Sequence, residues 1–324
     1  MNNMQKMLLQ MAAILAMVAL VPARAAYPER PVTLVAPFPA GGSADVVSRL
    51  LARKLEEQLG KTVVVENRPG AGSVVGGAYV ANAKPDGYTL LLGSNSTFTL
   101  NPALLPRMPY DAATAFEPIG QVGTVTLALI VNPAVAAQTV PELVAEIRAH
   151  PDQYVYGSYG NGTTSNFAGA MFNDVTGLNL LHIPYRGSSP AMADLIGGQI
   201  PIAFDTIVAA LPQVRNGKIR ALAVTSVRRS PFMPDVPSLD ELGYKGYEMT
   251  SYLTIVAPAG LPVEVRKRLT DAMTKLMADS DMQEKMKAAG FEPDWKTIPD
   301  WAASVRAEIA SMKAIAQKSN IRAD

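Results

Sequence analysis

The chain contains no cysteine. That excludes disulfides, thiolate metal sites and cysteine nucleophiles. Histidine is nearly as scarce, with two residues, His150 and His182. Neither has a partner at H-x-x-x-H or H-x-H spacing, so the pattern zinc requires is missing. A Ser-His-Asp triad would have to recruit one of them, and the chain has no G-x-S-x-G elbow. Charge is balanced, with 29 basic and 28 acidic residues and no block of either sign. That balance argues against nucleic acid or an anionic membrane as partner. After the first residues no uncharged apolar run is long enough to span a bilayer.

What the N-terminus does have is an address. Lys6 precedes an apolar run over residues 7–21, broken by Gln10, and Pro22-Ala23-Arg24-Ala25 follows. A charged start, an apolar stretch and an A-x-A exit are the three parts of a secretory signal peptide, with the cut expected before Ala26. A stretch of roughly 15 apolar residues falls short of the ~20 of a membrane anchor. Removing residues 1–25 takes away Lys6 and Arg24 and no acid, leaving 27 basic against 28 acidic residues. The leader is therefore expected to send the mature chain to the periplasm or outside the cell.

The remaining residues alternate short β-branched runs with stretches of helical period, which reads as α/β with a mostly parallel sheet. Residues 32–36 form a buried strand. Val46, Val47, Leu50, Leu51 and Leu55 then fall at helical spacing until Gly60. Strands are expected over 63–66 and 88–92, with a short helix over 73–81 between them. A second array opens with a strand over 127–131 and a helix started by the capping sequence Thr139-Val140-Pro141-Glu142. It continues with strands at 154–157, 181–183, 202–204 and 220–224, separated by helices. A strand at 252–257 and three helices close the chain. Two arrays and a helical tail imply two lobes, with chain crossings near residues 124–128 and 246–252. The expected division is 26–126 with 250–324 in one lobe and 127–249 in the other.

In open α/β sheets ligands bind beyond the carboxyl ends of strands, where helix N-termini present free N–H groups. The chain builds this feature repeatedly. Pro37-Phe38-Pro39-Ala40-Gly41-Gly42-Ser43 joins a strand to a helix through two prolines and two glycines. Gly157-Ser158-Tyr159-Gly160-Asn161-Gly162-Thr163-Thr164 does the same in the second array. Tyr185-Arg186-Gly187-Ser188-Ser189 adds a cation before another helix. Facing loops of this kind would hold a carboxylate without any catalytic group, although each alone is equally a tight turn. Ser94 and Asn95, with Ser96, read as cleft donors or turn residues. Asp205 ends a strand and either meets a ligand's donor or caps the next helix. Arg186 pairs with a ligand or with a surface acid. Asp45, in the first helical turn, reads as helix support. Gly70-Ala71-Gly72 imitates a dinucleotide fingerprint but follows the second strand, behind Arg68-Pro69, so no cofactor is expected.

At these residues the chain resembles a known family. Tyr27-Pro28-Glu29-Arg30-Pro31, the loop from Pro37 to Asp45, Glu66-Asn67-Arg68-Pro69-Gly70-Ala71-Gly72, Pro85-Asp86-Gly87-Tyr88-Thr89-Leu90, Ile183-Pro184-Tyr185-Arg186-Gly187 and Phe204-Asp205 occur in its order. Together they look like the Bug family of periplasmic receptors, the binding components of tripartite tricarboxylate transporters. The resemblance implies a two-lobed type II periplasmic-binding-protein fold, with a hinge and an interlobe cleft that closes on a small carboxylate. It implies a monomer that delivers ligand to inner-membrane transporter subunits and is not an enzyme. It assigns ligand contact to the loop containing Phe38, Ala40, Gly41, Gly42 and Ser43. The second loop it assigns contains Ser158, Gly160, Gly162, Thr163, Thr164, Ser165 and Asn166. The family often has His near Ser165-Asn166, and this chain departs there. A receptor serving a membrane sensor shares the same cleft, and a hydrolase or isomerase on this scaffold would need a base beside a nucleophile.

Overall fold

The computed structural model describes residues 27–322 and Met4. Apart from Met4, the expected leader and its cut before Ala26 lie outside the described residues. The first array is β1 (Val32–Ala36), α1 (Ser43–Leu59), β2 (Val63–Asn67), α2 (Val74–Ala81) and β3 (Thr89–Ser94). Val32, Leu34, Val35 and Ala36 are fully buried because β1 lies between β2 and β3, with helices covering the sheet. α1 buries Val47, Leu51, Leu55 and Leu59, one turn apart, and ends at Gly60. Gly60 has φ 69°, and its N–H caps the Glu56 carbonyl.

A π-turn (Ser96–Leu100) and α3 (Asn101–Leu104) lead to β4 (Phe116–Val131). The second array then runs α4 (Val140–Ala149), β5 (Val155–Ser158), α5 (Thr164–Thr176), β6 (Leu181–Pro184), α6 (Ser188–Ile196), β7 (Ile202–Thr206), α7 (Ile207–Arg215) and β8 (Arg220–Val224). β9 (Thr250–Pro258), α8 (Val263–Ala278), α9 (Ser280–Ala288), β10 (Glu292–Lys296) and α10 (Trp301–Lys318) complete the chain. Thr139 caps α4 as its sequence implies, accepting from the Glu142 N–H at 3.3 Å. The Glu142 carboxylate reaches one residue further back, to the Gln138 N–H at 2.7 Å.

The strands join in the order β2-β1-β3-β9-β4-β7-β5-β6, with β8 and β10 also paired to β4. β1 pairs in parallel with β2 and β3, and β5 with β6 and β7, but every pairing of β4 and β9 is antiparallel, including those of residues 127–131 with β7 and β8. The sheet is therefore mixed, not mostly parallel. β4 belongs to both halves: its residues 116–126 pair with β9, and 127–131 with β7 and β8. Only its last third reads as strand in the sequence, because Pro118, Gly120 and Gly123 interrupt the β-branched pattern. Register shifts at Pro118/Gly120 and Gln121/Gly123 absorb them. β10 also escapes sequence reading, since Glu-Pro-Asp-Trp-Lys has no apolar alternation; it is held by its backbone ladder to β4. α10 packs Trp301 and Val305 beside β3 and Phe98, and Ala316 beside the residues of β5 and α5.

Tyr156 links the second core to the loops above it. Its ring stacks on His182 at 4.9 Å and meets Phe204 edge-on at 6.1 Å. A Cβ at Gly169 would lie 2.0 Å from the Tyr156 ring. Alanine in a helix interior gains about 1 kcal/mol over glycine, whereas overpacking costs about 1–3 kcal/mol or more. Gly169→Ala is therefore expected to lower the unfolding free energy by about 1–2 kcal/mol in denaturant titrations. A gain in stability would contradict this packing.

Candidate functional site

Loops from the two halves meet at the carboxyl ends of β1, β5 and β6. The Phe38 ring meets Tyr159 edge-on at 6.1 Å. Ser189 Oγ donates to the Ala40 carbonyl at 2.7 Å. Glycine is required where these loops touch. Gly187 has φ 128°, and a Cβ there would fall 2.5 Å from Pro39. Gly162 has φ 66°, and its Cβ would fall 2.1 Å from Asn101 Oδ1.

The meeting encloses two cavities that share Phe38, Pro39 and Tyr159. The inner one has a volume of about 30 Å³ and is walled by Gly42, Ser43, Ser94, Ser188, Asp205, Thr206 and Ser251. That is the space of about one water molecule. The outer one, about 620 Å³, includes Gly72, Gly160, Asn161, Gly162, Tyr185 and Arg186. It falls in the size range of sites for small organic ligands. α1, α6 and α7 all begin at the inner cavity, and no side chain caps any of them. Their N-termini give that wall a partial positive charge. The hydroxyls of Ser43 and Ser94 make no hydrogen bond among the described residues.

Of the residues expected to meet a ligand, Phe38, Gly42, Ser43, Ser94 and Asp205 line the inner cavity. Phe38, Gly160, Gly162 and Arg186 line the outer one. Arg186 is exposed and makes no ion pair among the described residues. Several others are committed to internal bonds. The Gly41 N–H donates to Asp45 Oδ2 (3.0 Å), that of Gly160 to Ser158 Oγ (3.1 Å) and that of Gly162 to Asn166 Oδ1 (3.2 Å). These glycine amides, read from sequence as anion donors, are turned back into their own loops. Thr163 Oγ1 donates to the Gly160 carbonyl and Ser165 Oγ to that of Phe204. Asn95 is a clasp between the halves: its Oδ1 accepts from Thr164 Oγ1 and Ser251 Oγ, both at 2.8 Å, and its Nδ2 donates to the Thr250 carbonyl. Ser188, Thr206 and Ser251 were not legible as site residues. Ser188 stands in the Tyr185–Ser189 loop without being singled out from it, and nothing local marks Ser251.

Asp45 behaves as helix support. Burial pushes its carboxyl up, but hydrogen bonds from Arg49, Gly41 and Asn67 outweigh burial and hold it below the usual range. Asp205 is the opposite case. Burial raises it to about 6 against the bonds from Ser188 (2.6 Å) and the Thr206 N–H (2.7 Å). Asp205 thus ties the start of α7 to the start of α6.

A family model described as the tripartite tricarboxylate transporter family receptor matches residues 47–321. The chain belongs to that family. The receptor is 35% identical to protein BugT of Bordetella pertussis over 299 residues, covering 89% of this chain and 92% of that protein. Its fold matches the periplasmic binding protein BugD, with TM-score 0.85 and 37% identity over 91% of this chain and 99% of BugD. It also matches Rpa4515 of R. palustris, solved with adipate, with TM-score 0.87 and 33% identity over 91% of this chain and 99% of that one. The receptor therefore has the two-lobed periplasmic-binding-protein fold, in a family of solute-binding receptors and not of enzymes.

Asp205 gives the receptor a testable pH signature. Its carboxyl titrates at about 6 when folded and near 3.8 when unfolded. Between these values the folded state binds the extra proton, so this group's contribution to stability falls as pH rises from about 4 to about 6 and is flat above. The loss is on the order of 2–3 kcal/mol. Asp205→Asn keeps an acceptor for the Thr206 N–H and is expected to remove that slope and raise stability at pH 8. Chemical denaturation at pH 4.5, 6 and 8 checks it; an unchanged slope would contradict the assignment.

Proposed function

We propose that this receptor captures a small dicarboxylate between its lobes in the periplasm and, as a monomer, delivers it to the membrane subunits of a tripartite transporter. The supporting observation is the wall where α1, α6 and α7 begin uncapped beside the hydroxyls of Ser43 and Ser94, which have no hydrogen-bond partner among the described residues. One carboxylate sits at this wall, held by amides and hydroxyls, while Phe38 and Tyr159 flank the carbon chain. The second carboxylate lies in the outer cavity, within reach of Arg186. Adipate in Rpa4515 is a ligand of this class. The inner space of about 30 Å³ holds no carboxylate as it stands, so the lobes part to admit one. The lobes in this reading are residues 26–126 with 250–324, and 127–249, and β4 bends where its partner changes from β9 to β7. The leader over residues 1–25 is removed on export.

Thermal unfolding with mono-, di- and tricarboxylates tests the reading. At least one dicarboxylate is expected to raise Tm in a concentration-dependent way, equivalent to about 2.7 kcal/mol at a hundredfold excess over Kd. If no carboxylate stabilises the protein, the reading fails.

Arg186→Gln is expected to weaken the best dicarboxylate about tenfold and a monocarboxylate far less, because a charge-assisted contact is worth about 1.5–3 kcal/mol. Calorimetric titration of both ligands checks it. Equal losses for the two would remove Arg186 from the site.

A further inference from the structure

His182 lines neither cavity, yet two of the bonds that shape the second-lobe loop run to it. Its Nε2 lies 2.6 Å from Ser158 Oγ and its Nδ1 3.3 Å from Asn166 Nδ2. The Asn166 amide has a defined direction, because its Oδ1 accepts the Gly162 N–H at 3.2 Å. Its NH2 end therefore faces the imidazole, and Nδ1 has to accept. The ring proton is then on Nε2 and donates to Ser158 Oγ. Ser158 accepts a second bond from the Gly160 N–H at 3.1 Å and donates to the Gly160 carbonyl at 3.3 Å, which fills its hydroxyl capacity. The stacked Tyr156 ring fixes the imidazole plane.

We propose that His182, as the neutral Nε2–H tautomer, is a positioning residue for ligand binding. Each of its nitrogens holds one glycine of the loop: Nε2 governs Gly160 through Ser158, and Nδ1 governs Gly162 through Asn166. With both amides turned inward, the loop presents Tyr159 and Asn161 to the cleft. The inference rests on the reading that this loop borders the ligand, but its geometry is tested without one.

The chain's two histidines make the imidazole nitrogen spectrum simple, with the exposed His150 as reference. The ¹⁵N signals of His182 in the folded, ligand-free protein are expected to show a protonated Nε2 and a bare Nδ1. The Nδ1–H form, or a mixed pattern, would overturn the proposal. His182→Gln supplies a donor where Nε2 stood, and His182→Asn an acceptor where Nδ1 stood. Gln is expected to leave the Gly160 amide signal in place and shift that of Gly162; Asn is expected to do the reverse. His182→Phe keeps the stack on Tyr156 and is expected to shift both. Glycine amides that move together in the Gln and Asn variants, or in neither, would reduce His182 to a packing role and overturn the proposal. If the Phe variant does not fold, the other two still decide. A failed carboxylate screen would sink the binding reading and leave this result standing.

Discussion

The loop after β1 and the loops after β5 and β6 press against one another across the cleft, and this contact organises the rest of the receptor. Phe38 on Tyr159, Pro39 on Gly187 and Ala40 under Ser189 bring three helix N-termini to one small space. Separated, each N-terminus is a solvated helix start of little consequence. Together they set three partial positive charges around one small cavity, facing the buried Asp205 that shares it. The scaffold serves this contact. β4 and β9 run through the middle of the sheet, and β4 carries strands of both halves as partners, so the two halves share one ladder.

A polar cleft has to satisfy its own groups before it can serve a guest, since a buried donor or acceptor left without a partner costs about 1–3 kcal/mol. The receptor divides its polar side chains accordingly. Asn95, Ser158, Thr163, Thr164, Ser165 and Asn166 hold the loops and the hinge in shape. Ser43, Ser94 and the uncapped N-termini are left facing the cavity. Asp205 lies at the boundary: a nearly buried carboxyl beside the uncapped helix N-termini, raised by burial and steadied by Ser188 and Thr206.

The fold was largely legible because its elements are locally consistent. α1 shows its buried face at helical spacing, Gly60 and Gly177 end helices with φ 69° and 65°, and Thr139 announces α4. The unread elements are those held by tertiary pairing: the first part of β4, with Pro118 and two glycines, and β10, which has no pattern of its own. The site was legible at the level of loops and not of atoms. Glycine and proline content marks where backbone approaches a cleft, so Phe38, Gly42 and Arg186 could be named. It does not tell which way an amide points. Gly41 turns to Asp45, and Gly162 to Asn166, because those acceptors come from the next helical turn and win locally. Ser251 contributes from a strand at the far end of the sequence, and its role exists only once β9 lies beside β3.

The central claim is that a ligand draws the two lobes onto one pocket. The absence of cysteine makes a direct measurement straightforward. Val64→Cys and Leu181→Cys place spin labels on exposed positions of β2 and β6, at opposite ends of the sheet. The account predicts a broad distance distribution without ligand that narrows to a single distance when a stabilising dicarboxylate is added. A distribution that is the same with and without it, at saturating ligand, would contradict the account.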